Sequence, residues 1–140
     1  MKNKQWVLNK RPSGVPNLEE DLKINISDTK KLDYGDVLIQ TQYLSLDPYM
    51  RGRMNGGPSY SQPVEIGGVM EGEVVGKVIE SKSKWFDEGE MVNAKVGWQE
   101  YACLSEKNVT KISQDKELPI TYSLGVLGMP GRTAYLGFLE

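Results

Sequence analysis

The sequence predicts a mainly β fold of the partly open barrel type, with only short helices. Several short segments are rich in alternating or β-branched apolar residues, and glycine-containing turns separate them. Glycines also recur inside the strand region, which is typical of strands that bend round a barrel. They are Gly67, Gly68, Gly72 and Gly76. The 140 residues fit one domain, and their 39% hydrophobic and 26% charged content is that of an ordinary globular chain.

Six strands are predicted in order along the chain. They cover residues 5–10, 22–26, 37–46, 74–80, 91–96 and 98–105. Turn residues such as the Pro-Ser-Gly run after the first strand and the Asp-Glu-Gly-Glu run before the fifth mark their ends. In the third strand, strict alternation predicts that Ile39 and Tyr43 share one face while Leu44 points to the other.

A long loop and a terminal helix complete the prediction. Residues 51–63 are rich in glycine, serine, asparagine and proline, and a loop of this length is usually functional or disordered. After an apolar stretch, residues 128–131 break the pattern and residues 133–139 predict the first turns of a helix. Because that helix runs to the last residue without a capping glycine, we expect a longer protein, with a barrel domain over 1–127 and a junction over 128–140.

The charges exclude a nucleic-acid partner. The 17 basic and 19 acidic residues give a net charge of −2, and the two signs are interspersed. Binding to a phosphate backbone needs a basic cluster, and the pair Arg51 and Arg53 is too small to form one. We expect Arg51 to pair with a carboxylate on the barrel surface instead.

The sequence predicts a protein of the cytoplasm without a membrane segment. The N-terminus has no apolar run like that of a signal peptide. The most apolar stretch, residues 120–139, has the length of a membrane span but contains Pro130, Arg132 and several glycines. A strand, a turn and a helix of a globular domain explain this stretch better.

The absence of histidine and the single cysteine restrict the chemistry. Cys103 cannot form a disulfide within the chain, so nothing favours an oxidising compartment. Catalytic zinc takes histidine, cysteine and carboxylate ligands, so no metal site is predicted, and Ser-His and Cys-His nucleophile pairs are excluded. Cys103 lies in an apolar run and is predicted to be a small buried hydrophobe.

Four motifs in the same order resemble segments of one enzyme family. They are YLSLDPYMRGRM at 43–54, VGKVIES at 75–81, GWQEY at 97–101 and LGMPGRTAYLG at 127–137. These segments resemble those of alkenal/one, prostaglandin and curcumin reductases, which are zinc-independent members of the medium-chain dehydrogenase/reductase superfamily. The resemblance implies a GroES-like partly open barrel, followed by a Rossmann domain of which these residues carry no glycine fingerprint.

The resemblance also implies an activity. It indicates an oxidoreductase that uses NADPH to reduce the activated C=C bond of small α,β-unsaturated aldehydes or ketones, and it leaves a homodimer of the full-length enzyme open. Zinc-dependent relatives carry a Gly-His-Glu motif after the long loop, where this chain has Gly67-Gly68-Val69 and Met70-Glu71-Gly72, so a metal-free reaction is expected. A quinone reductase of the same superfamily and a non-catalytic GroES-like binding module are the alternatives. The 140 residues alone are expected to be inactive.

Four residues of these motifs are implied to bind the cofactor. The family places Pro48 and Tyr49 beside the nicotinamide, and the Tyr49 hydroxyl is then a candidate catalytic donor to the substrate carbonyl. Met129 and Thr133 match residues that line the nicotinamide side of the cleft. From the residue pattern alone, Pro48 starts a turn, Met129 fills a core and Thr133 is an N-terminal helix residue that caps a free amide.

Two more aromatic residues are candidates for the substrate pocket. Alternation along the last predicted strand puts Trp98 and Tyr101 on opposite faces, so at most one of them faces the cleft. Trp98 is predicted to be the pocket wall. Tyr60, in the long loop, is a candidate lid residue or an ordinary surface tyrosine.

Overall fold

The computed structural model, which describes residues 1–113 and 117–139, contains two antiparallel sheets. The first is a hairpin of β1 (Lys2–Leu8) and β2 (Leu22–Asp28). The second has the order β6-β3-β4-β5-β7 and consists of β3 (Asp36–Leu44), β4 (Glu73–Ser81), β5 (Met91–Lys95), β6 (Tyr101–Ser105) and β7 (Val109–Lys111). This five-stranded sheet curls into a half-barrel, which confirms the predicted fold class.

Within the described residues, helical segments occur at four places outside the sheets. Helix α1 (Tyr49–Arg53) follows β3, and helix α2 (Met129–Leu139) ends the described chain. Single 3₁₀ turns span Glu106–Asn108 and Ile120–Leu124. None of the described helices has the length and apolar content that a membrane crossing requires.

Strand β1 connects the hairpin to the half-barrel through main-chain hydrogen bonds. The Trp6 amide donates to the Trp98 carbonyl at 2.8 Å, and the Met70 amide donates to the Trp6 carbonyl at 2.9 Å. Further along β1, the Leu8 amide donates to the Gly68 carbonyl at 2.9 Å. Strand β1 thus holds two irregular segments, 68–72 and 96–100, side by side.

Two apolar clusters form the core. The first fills the half-barrel and consists of Val37, Ile39, Val74, Val78, Phe86, Val92, Ala94, Ala102 and Val109. The second lies between the hairpin and the residues after α1 and consists of Leu8, Leu22, Met54, Val64 and Met70. Burying an aliphatic side chain of this size contributes about 1.5–3 kcal/mol, so the second cluster anchors α1 and the segment at Met70 firmly to the barrel.

The predicted alternation in β3 is wrong at its end. Tyr43 is 49% exposed, whereas Leu44 packs against the core of the half-barrel. The pairing of β3 with β4 shifts between Leu38 and Ile39 and again between Thr41 and Tyr43. An extra residue at such a bulge turns every following side chain to the opposite face, which a pattern of strict alternation does not include.

Helix α1 occupies the beginning of the predicted loop 51–63. Pro48 precedes it with a φ of −56°, a value that already suits a helix. Within the described part of the chain, the side-chain hydrogen bonds of Arg51 go to carbonyl and amide oxygens, where a carboxylate was predicted. Its guanidinium donates to the Gly14 carbonyl at 2.8 Å and to Asn55 Oδ1 at 2.7 Å, and it thereby fastens α1 to the loop after β1.

Helix α2 begins four residues earlier than predicted. Pro130 is its second residue, a position where a missing N–H costs no helical hydrogen bond. Gly131 is required by a close approach, since a Cβ atom there would lie 1.7 Å from the Val126 carbonyl oxygen. Thr133 therefore lies in the second turn of α2, and its predicted role as an N-terminal capping residue is wrong.

Candidate functional site

One cleft of about 700 Å³ opens between α1, the start of α2 and the two irregular segments that β1 holds together. Its volume is within the range of small-molecule sites, about 300–1,000 Å³. Its walls come from distant parts of the chain, namely Tyr49, Arg53, Tyr60, Ser61, Val69, Met70, Glu71, Gly72, Lys95, Val96, Gly97, Met129 and Thr133.

The cleft brings three of the predicted site residues together. Tyr49 is the first residue of α1, while Met129 and Thr133 lie one turn apart on α2, and all three line the same cavity. Pro48 is exposed, is the residue directly before α1 and is not among the lining residues. Two helices about eighty residues apart in the chain thus meet where the resemblance implies a common site.

Trp98 does not line this cleft. It packs against the second core cluster and borders a separate apolar hollow of about 170 Å³, together with Trp6, Ile24 and Leu44. The predicted alternation does not apply to Trp98, because β6 begins only at Tyr101 and residues 96–100 are irregular. Within the described part of the chain, Trp98 Nε1 is buried and lacks a hydrogen-bond partner.

The Tyr49 hydroxyl is a neutral group at physiological pH. Burial raises the pKa of Tyr49 above its ordinary value of 10.0, and the carboxylates of Glu71, Asp47 and Glu73 raise it further, while Arg53 acts in the opposite direction. A phenol in this state donates a hydrogen bond but gives up its proton reluctantly. The environment therefore suits a hydrogen-bond donor rather than an acid.

Arg53 is a residue of the cleft that the sequence reasoning missed. Its side chain is only 7% exposed, and its Nε lies 3.1 Å from Glu71 Oε2. Its Nη1 donates to the Ser61 carbonyl at 3.3 Å. The guanidinium carbon lies 4.5 Å from the ring centroid of Tyr60 and 5.7 Å from that of Tyr49. The one signal for Arg53 was its place in the motif at 43–54, since its charge suggested only a small surface pair.

Tyr60 was a candidate lid residue or an ordinary surface tyrosine, and its position has features of both. Its side chain is 86% exposed, as in a surface tyrosine, yet it lies on the rim of the cleft over the Arg53 guanidinium. The ring is therefore in a position to contact a molecule in the cleft.

The carboxylate of Glu71 is engaged by Arg53. It lies in the stretch 67–72, where the resemblance implies that zinc-dependent relatives carry a Gly-His-Glu motif. Among residues 1–113 and 117–139, no group of three or more histidine, cysteine, aspartate or glutamate side chains is arranged to hold a metal ion.

The surroundings of Cys103 disfavour its thiolate form. It is partly buried, and its Sγ lies 3.7 Å from Asp36 Oδ2 and 3.9 Å from the Lys31 carbonyl oxygen. Burial raises the pKa of the Cys103 thiol, and the neighbouring Asp36 raises it further. The thiolate that nucleophilic chemistry needs is therefore disfavoured.

Comparison with known proteins identifies the family. A family model described as the N-terminal domain of oxidoreductase matches residues 4–112. The chain belongs to this family. Its relatives include the NADPH-dependent curcumin reductase of Escherichia coli K12, which is 47% identical over 139 residues, and the NADP(+)-dependent 2-alkenal reductase of Nicotiana tabacum, which is 39% identical over 142 residues. Each match covers 99% of this oxidoreductase domain but only 40% and 41% of the relative.

Solved structures agree with this assignment. CurA from Vibrio vulnificus superposes on 98% of this chain with a TM-score of 0.91 and 43% identity, and the chain covers 40% of it. CurA in complex with NADPH superposes on 97% of the chain, which again covers 40% of that structure, with a TM-score of 0.89. The quinone oxidoreductase from Coxiella burnetii, at 20% identity and a TM-score of 0.61 over 86% of this chain and 39% of its own, shares the fold. The resemblance to the curcumin, alkenal and prostaglandin reductases is thus confirmed.

Proposed function

We propose that this chain is the N-terminal, substrate-side domain of an NADPH-dependent reductase of α,β-unsaturated aldehydes and ketones. The observation that supports this most is the meeting of Tyr49, Met129 and Thr133 in one cleft. Those residues were named from the resemblance, and folding places them together although they are far apart in the chain. We assign the barrel to residues 1–127 and the junction with a nucleotide-binding domain to residues 128–140.

The cleft fits the nicotinamide end of NADPH. Met129 and the ring of Tyr49 offer apolar surfaces to a flat ring, and the Thr133 hydroxyl offers a polar group to its carboxamide. When bound, NADPH supplies the hydride that the β-carbon of the substrate accepts. These residues orient the reacting groups and keep water from part of the cleft.

Tyr49 polarises the substrate in this proposal. The carbonyl oxygen of an enone gains negative charge as the β-carbon is reduced, and the neutral Tyr49 hydroxyl can donate a hydrogen bond to that charge. The raised pKa of Tyr49 disfavours transfer of its own proton. We therefore assign the proton that the α-carbon receives to solvent, which reaches the cleft through its open side.

The same proposal covers partners and location. It includes a small-molecule substrate, a cytoplasmic enzyme and no nucleic-acid partner, and it leaves a homodimer of the full-length enzyme open. The absence of a basic cluster supports the exclusion of nucleic acid, and the single cysteine supports a reducing compartment.

Reduction of matched substrates by the purified protein, as its gene encodes it, tests the proposal. NADPH deuterated at the transferable position should yield a saturated ketone with deuterium on its β-carbon when a simple enone is supplied. The saturated ketone is the control and should not react. Reduction of a benzoquinone without reduction of the enone would replace the proposal with the quinone reductase alternative. Absence of any reduction, together with absence of NADPH binding, would favour the non-catalytic binding module.

A further inference from the structure

Arg53 joins three separate parts of the cleft wall, namely α1, the long loop and the segment at Glu71. It is the last residue of α1, and its own carbonyl accepts a hydrogen bond from the Val64 amide at 2.9 Å. Its guanidinium contacts Glu71 on the irregular segment before β4, and Ser61 and Tyr60 on the long loop.

The burial of Arg53 shows that these contacts are needed. A guanidinium is costly to remove from water unless ion pairs and hydrogen bonds replace its hydration. Here Glu71 and the Ser61 carbonyl do so, and two aromatic rings face the charge. Arg51, two residues earlier on the same helix, instead lies at the surface and contacts the loop at Gly14. Arg51 therefore attaches α1 to the loop after β1, whereas Arg53 connects α1 to the other walls of the cleft.

The loop that carries Tyr60 is held in place by its contacts with Arg53. Residues 54–63 contain no strand, and Tyr60 is 86% exposed, so little burial of its own fixes the ring. The contacts that the structure records for this part of the loop, the ring of Tyr60 and the Ser61 carbonyl, both lead to Arg53.

We propose that Arg53 is a positioning residue that sets the substrate side of the cleft. It holds Tyr60 and Ser61 against the Tyr49 side of the cleft and fixes the width of the cleft before a substrate enters. This inference rests on the proposed function, because the substrate is taken to be an enone that occupies the cleft. Arg53 acts through its neighbours and does not itself contact the substrate.

Amide hydrogen exchange tests whether Arg53 holds the loop at Tyr60 in place, and it does not depend on enzymatic activity. Arg53→Met keeps most of the side-chain length but removes the charge and the donors. In the protein without cofactor or substrate, exchange of the amides at 60–64, other than Pro63, should rise about tenfold. This is the fold-change expected when an exposed cation–π contact and the hydrogen bond to the Ser61 carbonyl are lost together. Arg51→Met is the matched control, and it should raise exchange near Gly14 and Asn55 but not at 60–61.

Kinetics separate positioning from direct contact. Arg53→Met should raise the KM for the enone roughly tenfold and change kcat by less than about threefold, since the reacting groups are retained. Tyr60→Leu should have a similar effect, whereas Tyr60→Phe, which keeps the ring, should not. The double variant Arg53→Met/Tyr60→Leu should be no worse than Arg53→Met alone, because the two residues act as one unit.

Several outcomes would overturn the inference. Unchanged amide exchange at 60–64 in Arg53→Met would show that the loop does not depend on its contacts with Arg53. Additive effects of the two substitutions on KM, without a change in exchange, would mean that Arg53 binds the substrate directly. If Arg53→Met does not fold, Arg53→Lys and Glu71→Gln weaken the same contacts more mildly and should show smaller rises in exchange at 60–64. If the unsubstituted protein reduces no enone, the proposed function fails. The exchange data then still test, on their own, whether Arg53 holds the loop at Tyr60 in place.

Discussion

Gly97 and Met70 approach each other backbone to backbone in the wall of the cleft. A Cβ atom on Gly97 would lie 2.3 Å from the Met70 carbonyl oxygen, and Gly97 has a φ of +79°. The same Met70 carbonyl accepts a hydrogen bond from the Trp98 amide at 2.8 Å. The two irregular segments that border the cleft are therefore in direct contact, and only glycine satisfies both the conformation and the space at position 97.

Gly97→Ala should destabilise the protein strongly. Two costs add up here, the left-handed backbone conformation and the clash with Met70, and together they should lower the free energy of unfolding by about 3 kcal/mol or more. Gly89→Ala is the control, because Gly89 has a φ of +91° but nothing within 4 Å of its Cβ position, so it isolates a cost of about 1–2 kcal/mol. Urea unfolding of both variants measures the difference, and equal losses would show that the close approach is unimportant.

Gly131→Ala should displace the start of α2. The new methyl group would clash with the Val126 carbonyl, so Met129 and Thr133 would move relative to Tyr49. We expect weaker NADPH binding by the full-length enzyme, measured by calorimetric titration. Gly137→Ala, in the same helix but with open space around it, should instead stabilise α2 by about 0.5–1 kcal/mol and leave NADPH affinity unchanged. Similar affinities of the two variants would contradict the role of this junction in placing α2.

Tyr49→Phe isolates the hydroxyl from the ring. Loss of one hydrogen bond to a developing oxyanion can cost a factor on the order of 10²–10³ in turnover. We expect a smaller loss, because a water molecule can replace the hydroxyl, while NADPH affinity should be unchanged. Tyr49→Ala should also weaken NADPH binding, since the ring surface is lost. If Tyr49→Phe has no effect and Tyr49→Ala weakens only NADPH binding, then Tyr49 is a packing surface alone.

The contribution of the Tyr49 hydroxyl should be independent of pH across the neutral range. Its pKa is raised above 10.0, so the group stays protonated and remains a donor up to about pH 9. As the pH rises through the raised pKa, the phenolate forms and the donor is lost. The ratio of kcat/KM between the unsubstituted enzyme and Tyr49→Phe should therefore be flat from about pH 6 to about pH 9 and fall only above that. A ratio that changes near pH 7 would argue against Tyr49 as the donor.

Enone reduction should not need a metal ion. The sequence has no histidine, and the Glu71 carboxylate is occupied by Arg53. After dialysis against a chelator, the full-length enzyme should retain its activity and contain less than stoichiometric zinc by metal analysis. Loss of activity with the chelator and its return with added zinc would contradict this expectation.

The strands were predictable from local patterns, because burial on one face of a sheet leaves a period of two in the sequence. The predicted strands 74–80 and 91–96 agree with β4 and β5 to within about a residue. Position along the motifs likewise predicted Tyr49, Met129 and Thr133, which the cleft brings together. No local sequence pattern records which distant strands pair or where their register shifts. The bulge near Tyr43 and the short strand β7 were therefore not predicted.

Local sequence patterns likewise do not predict which side chains meet around the cleft. The pair of Arg53 and Glu71 joins residues eighteen positions apart across an irregular loop, and no periodicity relates them. Trp98 was assigned to a strand face although its backbone bonds to Trp6 and Met70 as part of an irregular segment. Contacts of this kind depend on how separate segments meet in space, which is decided by the whole fold.

The attachment of β1 also affects synthesis of the chain. The carbonyls and amides of β1 pair with residues 68–70 and 98–100, so β1 needs partners that are made up to roughly ninety residues after it. At ribosomal rates of about 5–20 residues per second, this delay lasts about 5–20 s. During that time Trp6, Val7 and Leu8 belong to a nascent hairpin whose outer edge is still unpaired, and such edges attract other strands. Protection of this edge by a chaperone, until residue 100 has left the ribosome, would favour correct folding.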